Sequence, residues 1–512
     1  MGKENESPAS DGLSGWGKRL ANLENRLTEA RAMGGTEKLE HQAARGEMNA
    51  RQRIEALLDP GSFQELGTLV GAISEDAPAD AFPAGLGRIQ GRPVLVGAED
   101  FSVKGGSIGL GAADKRFRLT QLALSEKVPL LFILHGAGHR ITNALKGHGR
   151  APNDLQGLVD LSGIVPTVCV VLGASAGHGA LAAPLMDFVV MSEGAALFSA
   201  GPPLVEAAIG EKVGKAELGG PAVHVQRSGV AHNVAPDDTA ALEIARRYLS
   251  YLPSNAWQFA PEQTGADTGE RTLDEILEIV PSDDRRPYAM SRVVELLADQ
   301  DSVLEVQPLF GRSLITALAR LGGRPVAIVA NNPSHKAGTF DRTAAEKGAR
   351  FLEVMGGFHL PVIFLADNPG VMAGTAAETE GALRAAARMF AAQHRLQGPK
   401  LHVTFRKAFG FGSSIMAMNP FDGQALCLAF PGATLGAMPA RGGGAAAHAD
   451  TDQQASLDAT ESEGPYRIAD TMGFDEIIDP RQLRNVLLRG LELAGPRQAK
   501  PAEPAPRFGA LP

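Results

Sequence analysis

The spacing of hydrophobic and polar positions along this chain changes near Phe82. Over residues 16–58 the apolar side chains recur every three or four positions, as in Leu20, Leu23 and Leu27, which predicts one or two helices. After Phe82 the apolar residues gather into short β-branched runs that end in glycine-rich loops: PVLVG, PLLFIL, TVCVVLG and DFVVM. Helical segments between such runs predict an α/β architecture.

The same pattern returns after a polar stretch, residues 261–272, which is typical of a linker. Pro93 in QGRPVLVG matches Pro325 in GGRPVAIV, at an offset of 325 − 93 = 232. Three more matches follow in the same order at nearly the same offset: VPLLFIL with LPVIFLA, PTVCVVLGASAGHGA with PKLHVTFRKAFGFGS, and AALFSAGP with GATLGAMP. This order predicts two copies of one fold. The alternative is two unrelated domains that share only the general α/β pattern of apolar runs and loops.

We therefore expect four parts: a helical segment over 1–60, an N-terminal domain over 61–262, a C-terminal domain over 273–495 and a disordered tail over 496–512. The tail carries five prolines, which suits a disordered end. The stretch from Arg441 to Leu457 is rich in glycine and alanine and poor in large apolar residues, so we expect a mobile loop there.

Composition narrows the class of protein. The 512 residues carry a net charge of −9, which argues against a surface built to bind nucleic acid. Two cysteines, Cys169 and Cys427, exclude a disulfide framework and favour a reducing compartment. Long apolar stretches and an apolar signal core are both missing, so we expect a cytoplasmic protein that does not insert into membranes.

Candidate chemistry lies where strands run into glycine-rich turns. The runs GASAGHGALAA (173–183) and RKAFGFGSSIMA (406–417) each place consecutive backbone amides at a predicted helix N-terminus, which is the basis of an oxyanion hole. The preceding strands end in HGAGHRI (135–141) and DNPGVMAG (367–374). Tight turns that need a positive φ are the structural alternative for each loop.

Other signals are weaker. No P-loop occurs at a strand-to-helix turn. His135 and His139 have the spacing of metal ligands on a helix, but they lie in a glycine-rich loop and lack an evident third ligand. A basic set in the first half suits a phosphate-bearing ligand such as coenzyme A, or is a solvated surface: Lys104, Lys115, Arg116, Arg118, Arg140, Lys146 and Arg150.

These motifs resemble the carboxyltransferase (β) subunits of biotin-dependent acyl-CoA carboxylases, of the propionyl-CoA and acetyl-CoA carboxylase kind. The resemblance runs from about Leu39 to Arg489 and includes both halves. It rests on HQAARGEMNARQRIEALLDPGSFQELG (41–67), DFSVKGGSIG (100–109), SGIVPTVCVVLGASAGHGALAAPLMDFVVM (162–191), AELGGPAVHVQRSGVAHNVAPDD (216–238), GARFLEVMGGFHLPVIFLADNPGVMAGTAAE (348–378) and RKAFGFG (406–412).

The resemblance implies a tandem crotonase-like fold of superhelical ββα repeats in two homologous domains. It implies transfer of a carboxyl group from carboxybiotin to the α-carbon of an acyl-CoA, with backbone amides holding the enolate and biotin anions. The donors fall on the amides of Gly177 and His178 in the N-terminal half, assigned to the thioester. In the C-terminal half they fall on Phe411 and Gly412, assigned to biotin. Dependence on amides explains why no acid/base pair is evident in the sequence.

The same resemblance implies further site residues and partners. The cleft is lined by Ala137, Gly138 and Arg140, by Pro369, Gly370 and Gly374, and by Ser414 at a position associated with acyl-chain selectivity. Biotin is expected on a separate carrier protein, and biotin carboxylase on another chain, because a Met-Lys-Met site and an ATP-binding glycine loop are both missing. A homo-oligomer, a hexamer, is implied, with no metal in this subunit.

The chain also departs from the family. His178 and Phe411 replace glycine and a small residue, His135 replaces an aspartate, and Ser414 replaces an aspartate or an apolar residue. The identity of the acyl group therefore stays open. Two alternatives stay open as well: a non-catalytic structural paralogue in a carboxylase complex, and a biotin-dependent decarboxylase of malonyl-type CoA. A hydratase or isomerase is disfavoured, because the cleft loops carry no glutamate.

Overall fold

The computed structural model describes residues 8–73, 77–145, 153–265, 267–419, 421–498 and 502–505. Within these ranges the strands are β1 (Gln64–Leu66), β2 (Ala84–Ile89), β3 (Arg92–Ala98), β4 (Leu130–Leu134), β5 (Thr167–Val171), β6 (Ala174–Ala176), β7 (Phe188–Ser192), β8 (Ala196–Phe198), β9 (Asn233–Ala235), β10 (Leu304–Val306), β11 (Leu314–Leu321), β12 (Arg324–Asn331), β13 (Val362–Asn368), β14 (Lys400–Phe409), β15 (Gln424–Ala429), β16 (Thr434–Gly436) and β17 (Glu476–Ile477).

The same ranges contain the following helices. They are α1 (Pro8–Arg31), α2 (Thr36–Ala44), α3 (Ala50–Leu57), α4 (Leu110–Glu126), α5 (Ile141–Leu145), α6 (Asp154–Leu161), α7 (Gly177–Leu185), α8 (Pro202–Ile209), α9 (Lys215–Gly219), α10 (Pro221–His224), α11 (Asp238–Ser250), α12 (Ile276–Ile279), α13 (Met290–Leu297), α14 (Arg342–Gly357), α15 (Thr375–Glu380), α16 (Ala382–His394), α17 (Phe411–Ile415), α18 (Ala440–Ala446), α19 (Thr451–Ser462), α20 (Pro465–Ala469) and α21 (Leu483–Leu493).

Two large sheets carry the two halves. The N-terminal sheet has the strand order β1-β2-β3-β4-β5-β7-β9, and the C-terminal sheet has the order β10-β11-β12-β13-β14-β15-β17 with β16 beside β14. In each sheet the first three strands pair antiparallel and every later pair is parallel. Strands β6 and β8 form a separate parallel pair that corresponds to the end of β14 beside β16.

The strand registers repeat between the halves. Leu95 pairs with Leu130 in the N-terminal sheet, and Ala327 pairs with Val362 in the C-terminal sheet, so both partners shift by the offset seen in the sequence. The predicted α/β class and the two homologous domains are therefore confirmed.

Alternating residues of the central strands enter different cores. Leu131 and Ile133 of β4 join a buried cluster that also contains Leu314 and Phe364 of the C-terminal half. Leu130, Phe132 and Leu134 face the other side of the sheet, in a cluster built from the N-terminal half. Successive strand side chains point to opposite faces, so a sheet covered on both sides needs continuous apolar runs such as LLFIL.

Two predictions about irregular segments are affected. The prediction of a mobile loop over 441–457 is wrong, because residues of this segment belong to helices α18 and α19. Asp450 caps α19 through a capping box with Gln453, and alanines supply helix propensity, so large apolar residues are not needed. The predicted tail, 496–512, lies largely outside the described residues.

Candidate active site

In each half, two loops meet at the carboxyl ends of the parallel strands. Ile108 forms an isolated parallel bridge with His139, and Phe340 forms the equivalent bridge with Val371 at the same offset. The amide of Ile108 donates to the Gly138 carbonyl at 2.7 Å. The amide of Phe340 donates to the Gly370 carbonyl at 3.1 Å. The loops 135–141 and 367–374 therefore have the same anchoring in both halves.

Glycines let these loops pack directly against the strand-to-helix turns. Gly138 has a φ of +80°, and a Cβ on it would lie 2.6 Å from the carbonyl oxygen of Ala176. Gly370 has a φ of +117°, and its Cβ would lie 3.3 Å from the carbonyl oxygen of Phe409. Ala176 and Phe409 are the last residues of β6 and β14, immediately before the turns that the sequence singles out.

The N-terminal turn places two predicted donors at a helix start. Strand β6 ends at Ala176, and α7 begins at Gly177 with a φ of +56°. The first amides of a helix have no acceptor within it, so those of Gly177 and His178 can meet a ligand at the positive end of the helix dipole.

The C-terminal turn has the same geometry, but its two predicted donor amides begin one residue after the turn glycine. Gly410 has a φ of +53°, and its amide donates to the Gly436 carbonyl at 2.9 Å. The next two amides, of Phe411 and Gly412, begin α17. Gly412 is closely packed, since a Cβ on it would lie 2.1 Å from Oδ1 of Asn368. The Phe411 side chain is 40% exposed, so its ring forms part of the surface of this turn.

The remaining predicted site residues surround these turns with different degrees of access. The Ala137 amide already donates to the Gly105 carbonyl at 2.9 Å. Arg140 is buried, and its guanidinium lies 2.6 Å from Asp80, so only its backbone stays near the cleft. In the C-terminal half Pro369 and Gly370 follow β13, Gly374 precedes α15 with a φ of +116°, and Ser414 is half-buried in α17.

The structure adds a side-chain network that the sequence does not reveal. Nε2 of His178 lies 2.5 Å from Oδ1 of Asp154, the first residue of α6. Oδ2 of Asp154 accepts from Nε of Arg116 at 2.7 Å, and Nη1 of Arg116 lies 3.3 Å from Oε1 of Glu99. The side chains of Glu99, Arg116 and Asp154 are at most 1% exposed, whereas that of His178 is 29% exposed.

Burial and ion pairing act in opposite directions on these carboxyl groups. Burial pushes the pKa of Asp154 upward, but Arg116 and the hydrogen bond from His178 outweigh it, so this pKa lies well below its ordinary value. Burial raises the pKa of Glu99, although Arg116 and two hydrogen bonds oppose the rise. Asp154 is therefore an ionised acceptor for His178.

Glu99 also connects the network to both loops of the N-terminal half. It accepts from the backbone amide of His135 at 2.8 Å and from the hydroxyl of Ser175 at 3.2 Å. Asn331, the equivalent residue of the C-terminal half, accepts from the Asp367 amide at 3.1 Å in the same way. A carboxyl group anchors the loop in one half, and an amide side chain anchors it in the other.

His135 and Asp367 are likewise equivalent, and each contacts a buried arginine. Nδ1 of His135 accepts from Arg53 at 3.0 Å, and burial together with Arg53 lowers the pKa of His135 to about 3. Oδ2 of Asp367 accepts from Nε of Arg406 at 2.8 Å. A neutral imidazole therefore replaces a carboxylate as the arginine's acceptor.

Three members of the predicted basic set are wrong as surface cations. Lys115 is buried and donates to two backbone carbonyls, while Arg116 and Arg140 form the internal ion pairs described above. The exposed members of the set among the described residues are Lys104 and Arg118, and Lys146 and Arg150 lie outside those residues. Charge counted along a sequence does not distinguish a surface cation from one buried beside a distant carboxylate.

Two further properties concern membranes and metals. No helix in the described ranges is both long and apolar enough to cross a bilayer. No group of three or more histidine, cysteine, aspartate or glutamate side chains is placed to hold a metal ion among those residues.

Residues 41–509 match the family described as carboxyl transferase domain. The chain belongs to this family. Of the relatives of this carboxyl transferase, the methylmalonyl-CoA carboxyltransferase 12S subunit of Propionibacterium freudenreichii subsp. shermanii is 34% identical over 508 residues, covering 95% of this chain and 96% of that subunit. The biotin-dependent acetyl-/propionyl-coenzyme A carboxylase beta5 subunit of Mycobacterium tuberculosis (strain CDC 1551 / Oshkosh) is 36% identical over 439 residues, covering 83% and 80%.

The carboxyl transferase also matches a solved structure over nearly its whole length. The crystal structure of the transcarboxylase 12S hexamer with methylmalonyl-coenzyme A and methylmalonic acid bound superposes with a TM-score of 0.89 at 33% identity. The match covers 96% of this chain and 99% of that one. The expected tandem crotonase-like fold is therefore confirmed.

Proposed function

We propose that this carboxyl transferase moves a carboxyl group from carboxybiotin, held on a separate carrier protein, to the α-carbon of an acyl-CoA. One observation carries the proposal: the same strand-to-helix turn, packed against the same kind of loop, occurs in both halves. Two such turns supply two sites for anionic oxygen. The family membership and the relatives described above support this reading.

In this proposal the N-terminal turn binds the thioester. The amides of Gly177 and His178 donate to the thioester oxygen as it becomes an enolate oxygen, and they are already oriented before the reaction begins. A donor of this kind typically contributes about 3–4 kcal/mol to the transition state. Ala137, Gly138 and the backbone at Arg140 form the adjoining wall.

The C-terminal turn fits the ureido oxygen of biotin. The amides of Phe411 and Gly412 are adjacent, and the packing of Gly412 against Asn368 fixes their direction. Pro369, Gly370, Gly374 and Ser414 lie around this turn. When bound, carboxybiotin supplies the carbon dioxide and the final proton acceptor, while this chain binds and orients the reactants.

The proposal extends to partners and location. Biotin carboxylase and a biotinylated carrier would be separate chains, and this subunit would form a hexamer, as the 12S relative does. The domains would be 61–262 for the acyl-CoA and 273–495 for carboxybiotin, after the helical segment 1–60. A cytoplasmic location is consistent with two free, buried cysteines, Cys169 and Cys427.

A reconstituted assay tests this function. The purified chain is mixed with biotin carboxylase, biotinylated carrier, ATP, radiolabelled bicarbonate and a panel of acyl-CoA thioesters. We expect label in at least one carboxylated acyl-CoA. No labelled thioester, with the carrier shown to be carboxylated, would contradict the proposal. Unchanged activity of the complex with Gly412→Val would indicate a structural subunit instead.

A further inference from the structure

His178 presents one ring nitrogen to the protein interior and leaves the other open. Nε2 contacts the ionised carboxylate of Asp154. A carboxylate can only accept a hydrogen bond, so Nε2 must carry the proton. Nδ1 has no hydrogen-bond partner in the part of the chain that the structure describes, and the side chain is 29% exposed. In the neutral ring, Nδ1 is therefore an accessible proton acceptor.

The carboxylate that orients this ring is itself fixed. The side chain of Asn153 accepts from the Leu155 amide and caps α6, which sets the position of Asp154 at the helix start. Arg116 binds the second oxygen of Asp154, and both side chains are excluded from water. An imidazole held by a buried carboxylate with its second nitrogen free is the arrangement of a general base.

The location of the ring makes this arrangement relevant to catalysis. His178 also supplies one of the two amides proposed to hold the thioester oxygen, so its side chain starts from the oxyanion turn itself. The equivalent C-terminal position is Phe411, whose ring cannot accept a proton. The two turns thus share a backbone but differ in the chemistry of one side chain.

We infer that His178 is a catalytic residue that carries the α-proton of the acyl-CoA, with Asp154 as its positioning residue; this rests on the function proposed above. The Cα–H bond breaks and its electron pair forms the enolate double bond, while the carbonyl π electrons move to the oxygen held by the amides of Gly177 and His178. The proton bonds to Nδ1, and Asp154 balances the imidazolium charge. Nδ1 then gives this proton to the ureido nitrogen that has lost carbon dioxide, and the enolate carbon bonds to the carbon dioxide.

Exchange of α-deuterium tests this step without the carrier protein. Each acyl-CoA of the same panel, deuterated at its α-carbon, is incubated with the full chain in ordinary water, and mass spectrometry follows loss of deuterium. We expect exchange by the native protein and roughly 100-fold slower exchange by His178→Gln and His178→Gly. The glutamine amide can still donate to Asp154 but has no basic nitrogen.

Further readouts separate this role from a structural one. The affinity for the acyl-CoA should change by less than about threefold in His178→Gln, because the step affects the transition state and not binding. Added imidazole should restore part of the exchange in His178→Gly. Asp154→Asn should slow exchange as well. His41→Gln, at an exposed histidine on α2, serves as the matched control.

The outcomes test the two proposals separately. Equal exchange by the native protein and His178→Gln, or no exchange by the native protein, overturns the role of His178. If Asp154→Asn does not fold, the two His178 variants decide alone, since this ring lies partly at the surface. Failure of the complete complex to carboxylate any thioester contradicts the transfer activity separately.

Discussion

At the scale of single residues, equivalent positions of the two halves keep one backbone geometry and change its chemistry. Gly177 and Gly410 both turn the chain with a positive φ, at +56° and +53°. His135 directly follows β4 and Asp367 lies near the end of β13, and each binds an arginine, one as a neutral ring and one as a carboxyl group. A duplicated backbone with diverged side chains supports the proposal that the two turns bind different ligands.

The two turn glycines should respond differently to alanine. A Cβ at Gly412 meets Oδ1 of Asn368 at 2.1 Å and Cα of Gly370 at 2.8 Å, whereas a Cβ at Gly177 finds nothing closer than 3.8 Å. We expect Gly412→Ala to displace the turn and lower carboxylation by about 100-fold. Gly177→Ala should fold and lose only about 1–2 kcal/mol of stability from its left-handed φ. Carboxylation assays and thermal melts measure both; equal effects would contradict the packing argument.

His135 should make the protein sensitive to acid. An unfolded chain protonates this histidine near its ordinary pKa of about 6.5, but the folded chain does so only near its pKa of about 3. The unfolded state therefore binds more protons between these values, and stability falls as the pH falls. From pH 7 to pH 5 the loss is about 2 kcal/mol.

His135→Gln isolates this contribution, because glutamine can accept from Arg53 but does not titrate. Urea unfolding at pH 7 and pH 5 measures the effect. We expect a smaller difference between the two pH values in the variant than in the native protein. The same difference in both proteins would show that another group causes the acid sensitivity.

At the scale of elements, α18 and α19 form a surface pair beside the C-terminal turn. Residues of α19 are exposed or half-buried, so its stability comes from its own ends and from contact with α18. The Ala440 amide donates to the Glu461 side chain and joins the start of α18 to the end of α19. Met438, just before α18, is 52% exposed near this turn.

Asp450→Ala should loosen α19 without affecting the core. Loss of the cap removes a side-chain acceptor from the first turn and costs about 1 kcal/mol. We expect amide hydrogen exchange over Thr451–Ser462 to accelerate about fivefold, with no change in β4 or β13. The exposed Asp458→Ala provides a control within the same helix. Unchanged exchange in Asp450→Ala would mean that the cap does not hold this helix.

At the scale of the whole molecule, the two halves share one core. The cluster that contains Ile133 and Phe188 of the first half also contains Leu318 and Phe364 of the second. Arg350 of α14 donates to the carbonyls of Pro184 and Met186 at the end of α7. The helix that begins at the N-terminal turn is therefore held at its far end by the other half.

Fragments 1–262 and 263–512 should not fold separately, because each would expose its side of this shared core. We expect one cooperative transition for the full chain in differential scanning calorimetry and none for either fragment alone. Co-expression of both fragments should restore a cooperative transition. A cooperative transition of either fragment alone would show that its half is stable without the other.

The sequence was sufficient for those features that depend on neighbours along the chain. Apolar runs such as LLFIL mark strands buried on both faces, and their recurrence at a nearly constant offset marks the duplicated fold. Glycine at 177, 410 and 412 marks turns because a side chain there meets a strained φ or an occupied space. These properties are local, so a linear pattern records them.

Only the tertiary structure decided which charged residues meet. Glu99, Arg116, Asp154 and His178 come from a strand end and three helices, and their contacts span 17 to 38 residues along the chain. The sequence predicts Arg116 on a surface and a role for His178 only through its amide, because a linear pattern does not show that Asp154 contacts both residues. Burial removes water from around such charges, so their interaction energies and pKa values depend on the distances between them. Those distances follow from how the strands and helices pack.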